Sequence, residues 1–345
     1  MKASLRNRRS FLQLLAMLAA GGQALWHTRD VQAAIELAKD AAASAVPWPD
    51  MTYRTLGRTG YNASRLVFGC GAALSRQPRD ELLERALEAG INVYDVGTRR
   101  YYDAAERNMR NFVARHRDDI FLISKAMTGI DAGPEDGISV AQSRKAAQTW
   151  STAMEESLSE LGIDHLDAYY QMSVNNPNMV RSEEMYEVFL AARRAGKVSH
   201  YGISTHENAA SVLEASAETG WYSLAMIAVT PAGWYDWNSR KLLDGTPDMK
   251  AIRPLLDKAR AAGMGLIGMK AGRLLAGRRW LGRGDPKAFD KHYGEKLLRS
   301  HLSDFQRSYA YVLENGLDVV NADMQSYAIL RENFAAAATA QKYVA

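Results

Sequence analysis

Short apolar runs alternate along most of the chain with longer stretches in which apolar residues recur every three or four positions. The runs are Leu66–Cys70, Ile91–Asp95, Ile120–Ser124, Leu166–Gln171, His200–Ser204, Leu224–Val229, Gly265–Met269 and Asp318–Asn321. Their length predicts strands. Trp150, Met154, Leu158 and Leu161 show helical spacing, as do Leu82, Leu83, Ala86 and Leu87, so amphipathic helices are expected between and after the strands. Gly90, Gly162, Gly196, Gly220, Gly263 and Gly316 stand just ahead of strands. A glycine there takes the left-handed conformation that ends a helix without steric cost. Ahead of the first run, Thr52-Tyr53-Arg54 and Ala63-Ser64 flank Leu56-Gly57-Arg58-Thr59-Gly60, the pattern of a small hairpin.

Eight strand–helix units between residues 51 and 345 match a closed (β/α)8 TIM barrel with an N-terminal β-hairpin, an α/β fold. A doubly wound open sheet would want a glycine-rich phosphate loop after the first strand. Phe68-Gly69-Cys70-Gly71-Ala72 does not provide one. In such barrels chemistry sits where strands end and the following loops begin. That rule nominates Asp95, Lys125, Gln171-Met172, Ser204-Thr205 and Lys270. The long loops Thr230–Pro247 and Ala271–Leu302 should wall the same face. Trp234, Tyr235 and Trp237 in the first of them suit either a substrate lid or the packing of a long loop.

The chain opens differently. Asn7-Arg8-Arg9-Ser10-Phe11-Leu12-Gln13 precedes an apolar run, Leu14–Ala20, and then Gly21-Gly22. A positive segment followed by a short apolar one describes an export signal. The run is well short of the ~20 residues a membrane span requires. Paired arginines, a spacer and Phe-Leu resemble the twin-arginine signal, which implies the twin-arginine export machinery as a partner and a periplasmic location. A general secretory signal and an uncleaved, membrane-anchoring segment are the alternatives. Cleavage after Ala24 or Ala33 would leave no membrane span. The expected organisation is a signal over residues 1–33, an Ala-rich linker over 34–50 with Pro47 and Pro49, and the barrel over 51–345.

Charge sharpens this division. Residues 1–33 carry Lys2, Arg6, Arg8, Arg9 and Arg29 against Asp30, which accounts for the whole net charge of +4. The balanced remainder gives no support for a nucleic-acid footprint. The single cysteine, Cys70, excludes an intrachain disulfide and any multi-cysteine zinc or iron–sulfur site. A lone cysteine most often behaves as a small buried hydrophobe. No His/Asp/Glu cluster has metal-ligand spacing.

Several segments, weak alone, are specific in their order. Tyr53 to Gly60, Gly90-Ile91-Asn92-Val93-Tyr94-Asp95, Gly196-Lys197-Val198 through Gly202-Ile203-Ser204, Tyr311-Val312-Leu313 and Arg331-Glu332-Asn333 together resemble the aldo/keto reductases over residues 51–340. The resemblance implies an oxidoreductase using NADP or NAD on a small carbonyl or alcohol substrate. In that family a tyrosine protonates the carbonyl oxygen, and a lysine lowers the tyrosine pKa. An aspartate holds the lysine and a histidine orients the carbonyl. Asp95 takes the aspartate role, and Lys125 in Ile123-Ser124-Lys125 the lysine role.

Elsewhere the family pattern is broken. Arg100 occupies the tyrosine position; counting forward from Asp95 then favours Tyr101, and counting back from Glu106 favours Tyr102. Met172 stands in the histidine position, and a thioether cannot donate a hydrogen bond. Gln171, Asn175, His165 and His206 are alternative donors. For the cofactor, Ser204 matches the carboxamide-binding serine, and Thr205 replaces the neighbouring asparagine. Met226 replaces a glutamine and Val229 the aromatic that stacks on nicotinamide. Ile329 aligns with the phosphate-contacting arginine, leaving Arg331 and Asn333 nearby and Lys270 and Arg273 as further phosphate contacts. The substitutions Met172, Met226 and Val229 motivate an alternative, a catalytically degenerate barrel that binds a ligand. A third reading is a retooled barrel whose Asp95–Lys125 pair serves another proton transfer.

Overall fold

The computed structural model describes residues 48–276, 284–339 and 343. The twin-arginine motif, both cleavage points and most of the expected linker lie outside the described residues, as does part of the loop Ala271–Leu302.

The strands are β1 (Tyr53–Thr55), β2 (Asn62–Ser64), β3 (Leu66–Gly69), β4 (Val93–Asp95), β5 (Phe121–Ala126), β6 (Leu166–Gln171), β7 (Val198–Thr205), β8 (Leu224–Thr230), β9 (Gly233–Asp236), β10 (Lys241–Leu242), β11 (Gly265–Met269) and β12 (Val319–Asp323). Eight of them pair in parallel in the order β8-β11-β12-β3-β4-β5-β6-β7, and β7 pairs with β8 to close the barrel. Each expected strand is present. All six expected helix-ending glycines have positive φ, between 65° and 126°. At the end of the first strand the structure corrects the expectation, because Cys70 begins a short helix, Cys70–Leu74. Its thiol is buried 3.5 Å from the Phe68 carbonyl, and burial pushes its pKa up.

The period-2 alternation of the strands splits the apolar residues into two cores. Val67, Val93, Ile123, Ala168, Leu224, Ile267 and Val319 fill the barrel interior. Leu66, Phe68, Leu122, Tyr169, Ile203 and Val320 face outward into a second core shared with the helices. Trp150, buried on the helix Val140–Leu161, donates its Nε1 hydrogen to the Tyr170 carbonyl at 2.9 Å.

β1 and β2 form the expected hairpin, with Tyr53 opposite Ser64. Its turn drives Leu56 into the interior core. Gly57, at φ 53°, lies so close to the start of β11 that a Cβ would fall 2.1 Å from the Gly265 nitrogen. The hairpin therefore plugs the N-terminal end of the barrel and leaves the other end for a site. Trp48 packs edge-on against Phe334 at 5.0 Å, and Thr52 Oγ1 donates to the Ala337 carbonyl.

The loop Thr230–Pro247 folds back on the barrel, with Val229 of β8 opposite Trp234 of β9. Trp234 and Tyr235 are buried there as packing, whereas Trp237 reaches the open end. Among the described residues no helix is long and apolar enough to cross a membrane.

Candidate active site

Alternation that points Val93, Ile123, Leu224 and Val319 inward also points Asp95, Lys125, Met226 and Asn321 inward, one step closer to the C-terminal end. This layer floors a cleft of about 880 Å³, within the range usual for small-molecule sites.

Lys125 and Asp95 are both buried and joined as an ion pair. Lys125 Nζ lies 2.7 Å from each carboxylate oxygen and 2.6 Å from the Val96 carbonyl. An ammonium has three hydrogens, and these three acceptors match them. Asn321 Nδ2 donates to Asp95 Oδ2 at 2.7 Å and lies 3.4 Å from the Met226 sulfur. A buried carboxylate needs such partners to remain charged.

Tyr102 ends a short helix, Arg99–Tyr102, on the loop after β4. Two glycines make room for its ring. A Cβ on Gly71 would lie 2.4 Å from ring Cε1, and one on Gly97 would lie 2.9 Å from the opposite edge. Lys125 Nζ sits over the ring face, 5.3 Å from its centroid. Tyr101 packs edge-on against this ring at 4.7 Å but is itself exposed at the rim. The expected lowering of the tyrosine pKa is not what the geometry gives. Burial, and next the Asp95 charge, push the Tyr102 phenol up, while the lysine hydrogens are directed at Asp95 and Val96.

The cleft wall gathers Ser204, His206, Trp237, Lys270, Arg273 and Asn333. Ser204 Oγ accepts from the Ser173 amide at 3.3 Å. Lys270 Nζ lies 4.2 Å from the Trp237 ring centroid, and Arg273 Cζ lies 5.4 Å from it. Lys270 makes no salt bridge among the described residues. Its own burial, then the Arg273 and Lys125 charges, bring its pKa down to about 8. His206 Nδ1 is 3.1 Å from Ser173 Oγ. Burial, followed by Lys270 and Lys125, brings this imidazole down to about 3.

Backbone strain collects at the same end of the barrel. Asp103, Ser173, Asn208 and Lys270, all following barrel strands, have φ between 47° and 68°. A side chain in that region costs on the order of 1–3 kcal/mol and persists only where its surroundings impose it.

Asp95, Tyr101, Tyr102, Lys125, Ser204, Lys270, Arg273 and Asn333 are thus brought together, with Met226 and Ile329 beside them. Met172, Thr205 and Arg331 are not among the cleft-lining residues. Met172 is buried, its amide donating to the Ala126 carbonyl at 2.8 Å. Thr205 is one residue past Ser204, so it faces the other side of β7, where its hydroxyl donates to the Glu207 carbonyl at 2.6 Å. Val229 is committed to the outer core.

Of the alternative donors, Gln171 faces outward and donates to the Tyr222 hydroxyl at 3.0 Å. His165 binds the Gly196 carbonyl at 2.7 Å, beside the start of β6 and remote from the cleft. Asn175 does not line the cleft; His206 does. The residue that sequence reasoning missed is Asn321, although it closes the last expected strand and shares the inward parity of Val319. Among the described residues no group of three His, Cys, Asp or Glu side chains is placed to hold a metal ion.

The sequence profile of the Aldo/keto reductase family matches residues 65–271. An uncharacterised oxidoreductase of Bacillus subtilis, YrpG, is 28% identical over 246 residues, covering 66% of this chain and 69% of its own. Proteins named aldo-keto reductase are 30% identical over 164 residues in Gibberella moniliformis and 28% over 159 in Mycolicibacterium paratuberculosis. The chain spans 44% and 50% of those two proteins. The fold is shared with a solved structure from Pseudomonas aeruginosa assigned to the aldo-keto reductases, with a TM-score of 0.59, 21% identity, and coverage of 85% of this chain and 98% of that one. With the family profile spanning well over half of the chain and a closed barrel carrying Asp95, Lys125 and Tyr102 at its open end, the chain belongs to the aldo/keto reductase family.

Proposed function

We propose that the protein is an NAD(P)H-dependent oxidoreductase that reduces a small carbonyl compound or oxidises the corresponding alcohol. The observation that carries this reading is the buried Asp95–Lys125 pair beneath the ring of Tyr102 in one cleft. A nicotinamide dinucleotide suits the residues present. Lys270 and Arg273, cations resting on Trp237, would take its phosphates. Ser204 offers a hydroxyl for the carboxamide. Bound there, the reduced cofactor would supply hydride to the carbonyl carbon. Tyr102 Oη gives a proton to the carbonyl oxygen, so that hydride and proton together convert C=O to an alcohol, and solvent restores the phenol. The Lys125 ammonium over the ring stabilises the charge that develops as this proton leaves. Asp95 and Asn321 hold the ammonium in place.

A second reading is supported by the same site. The hydrogens of Lys125 are taken up without Tyr102, Met172 lacks a donor, and Val229 is lost to the core. A barrel of this kind would bind a ligand without turning it over. Titration of NADPH and NADH into the protein starting at Ala34, followed by nicotinamide fluorescence and calorimetry, separates the readings. Micromolar or tighter binding with turnover supports the oxidoreductase. Binding without turnover supports the binding protein, and a folded protein that binds neither nucleotide overturns both cofactor assignments. The choice between NADP and NAD is read from the same titration.

The twin-arginine motif places the protein, in this proposal, in the periplasm, delivered folded with nucleotide already bound. The alternative is a barrel held at the membrane by an uncleaved leader. Changing Arg8 and Arg9 to Lys should retain the protein inside the cell, and export of that variant would remove the assignment.

A further inference from the structure

The family pattern puts its carbonyl-orienting histidine on the loop after β6, where this chain has Met172. The next loop, after β7, carries a histidine that the pattern does not ask for. We propose that His206 is the carbonyl-binding donor of this cleft, with Ser173 as its positioning residue. The inference rests on the oxidoreductase reading above.

Four observations support it. His206 lines the same cleft as Asp95, Tyr102 and Lys125, whereas Met172 does not. Its Nδ1 lies 3.1 Å from the Ser173 hydroxyl, and its Nε2 makes no hydrogen bond among the described residues. Ser173 adopts φ 55°, a left-handed conformation that serine does not choose by itself, and its amide donates to Ser204 Oγ at 3.3 Å. The imidazole also packs against Trp237, with ring centroids 5.8 Å apart.

These facts determine what the ring can do. A neutral imidazole has one donor and one acceptor nitrogen. Burial, together with the Lys270 and Lys125 charges, keeps it neutral at physiological pH. With Ser173 Oγ–H donating to Nδ1, the hydrogen resides on Nε2. That N–H then holds a substrate carbonyl oxygen beside Tyr102 and polarises it, while the proton delivered to the oxygen remains that of Tyr102. Strain at Ser173 is the cost of aiming the ring. The donor lost at position 172 is thereby supplied from the neighbouring strand.

The test compares wild type, His206→Gln, His206→Ala and Ser173→Ala as full chains. 4-Nitrobenzaldehyde and 9,10-phenanthrenequinone serve as carbonyl probes with NADPH and NADH, and nucleotide binding is read by fluorescence. His206→Ala should lose roughly 10²-fold in kcat/KM while the nucleotide Kd stays within about twofold. His206→Gln, which keeps an N–H donor, should recover part of the loss. The second readout needs no turnover. In ¹⁵N-histidine NMR spectra the His206 resonances, identified by their absence from His206→Gln, should show a neutral ring with its hydrogen on Nε2. Ser173→Ala should shift that tautomer balance. Full activity in folded His206→Ala, or a hydrogen fixed on Nδ1, overturns the proposal while leaving the oxidoreductase reading intact. A wild type that neither binds nucleotide nor reduces either probe removes that reading, and this inference with it.

Discussion

The ammonium of Lys125 lies over the face of the Tyr102 ring, 5.3 Å from its centroid, and directs its hydrogens to Asp95 and Val96 instead. Lysine and tyrosine thus communicate through space rather than through a hydrogen bond. The phenol, pushed up by burial, stays protonated through the neutral and alkaline range. As a proton donor Tyr102 should show no loss of carbonyl reduction between pH 7 and 9 attributable to its own ionisation. Tyr102→Phe should lower turnover at least 10²-fold, and Tyr101→Phe by no more than about threefold. Steady-state rates of the two variants over that pH range check both statements. Equal loss in both would contradict the placement of Tyr101 at the rim.

Removing one partner of a buried ion pair strands the other charge. Lys125→Met leaves the Asp95 carboxylate, 5% exposed, with Asn321 as its side-chain partner. The expected cost is about 3–5 kcal/mol, in addition to lost turnover. A second change, Asp95→Asn, should restore more than half of that stability without restoring activity. Urea unfolding of the single and double variants gives the comparison, and a Lys125→Met protein as stable as wild type would refute it.

Lys270 predicts a pH dependence for nucleotide affinity. With its pKa at about 8, it is an ammonium at pH 7 and mostly neutral at pH 9.5, whereas Arg273 keeps its charge. Phosphate binding should weaken on raising the pH through that window, by roughly tenfold, the scale of one charge-assisted hydrogen bond. Lys270→Met should bind weakly at both values, with little slope. A wild-type Kd that is flat from pH 7 to 9.5 would count against this contact.

Gly71 is expected to be intolerant of the smallest substitution. A methyl group there falls 2.4 Å from the Tyr102 ring, so the ring must leave its slot. Gly71→Ala should cost on the order of 1–3 kcal/mol through overpacking. Its effect on turnover should be much larger, approaching that of Tyr102→Phe, because a misplaced donor of about 1 Å is enough to lose 10²-fold. Thermal melts and rates measured on one preparation would show whether activity falls ahead of stability.

Most of the frame was legible in the sequence because its signals are local. Strand length, helical spacing and a terminating glycine each reside within a few residues, and all eight strands and all six glycines appear where the pattern puts them. Asp95 and Lys125 were legible too, since strand ends map directly onto the open face. The illegible parts depend on which way a side chain turns. Tyr101 and Tyr102 are adjacent on one helical turn, and counting residues cannot tell which of them enters the cleft. Thr205 follows Ser204 in the alignment, but parity sends it to the opposite face of β7. Asn321 was reachable by the same parity rule, applied to the last strand. The partner of His206, Ser173, sits 33 positions away on another loop, a relationship that the parallel pairing of β6 with β7 creates.

Trp48 and Phe334 meet at one end of the described chain and on its last helix, Tyr327–Thr339. The same helix presents Ile329, Glu332 and Asn333 to the cleft. One face of a single rod is therefore clasped by the start of the barrel segment, and another face is a wall of the reaction chamber. A change that loosens Trp48 from Phe334 therefore acts on the same helix that walls the cleft.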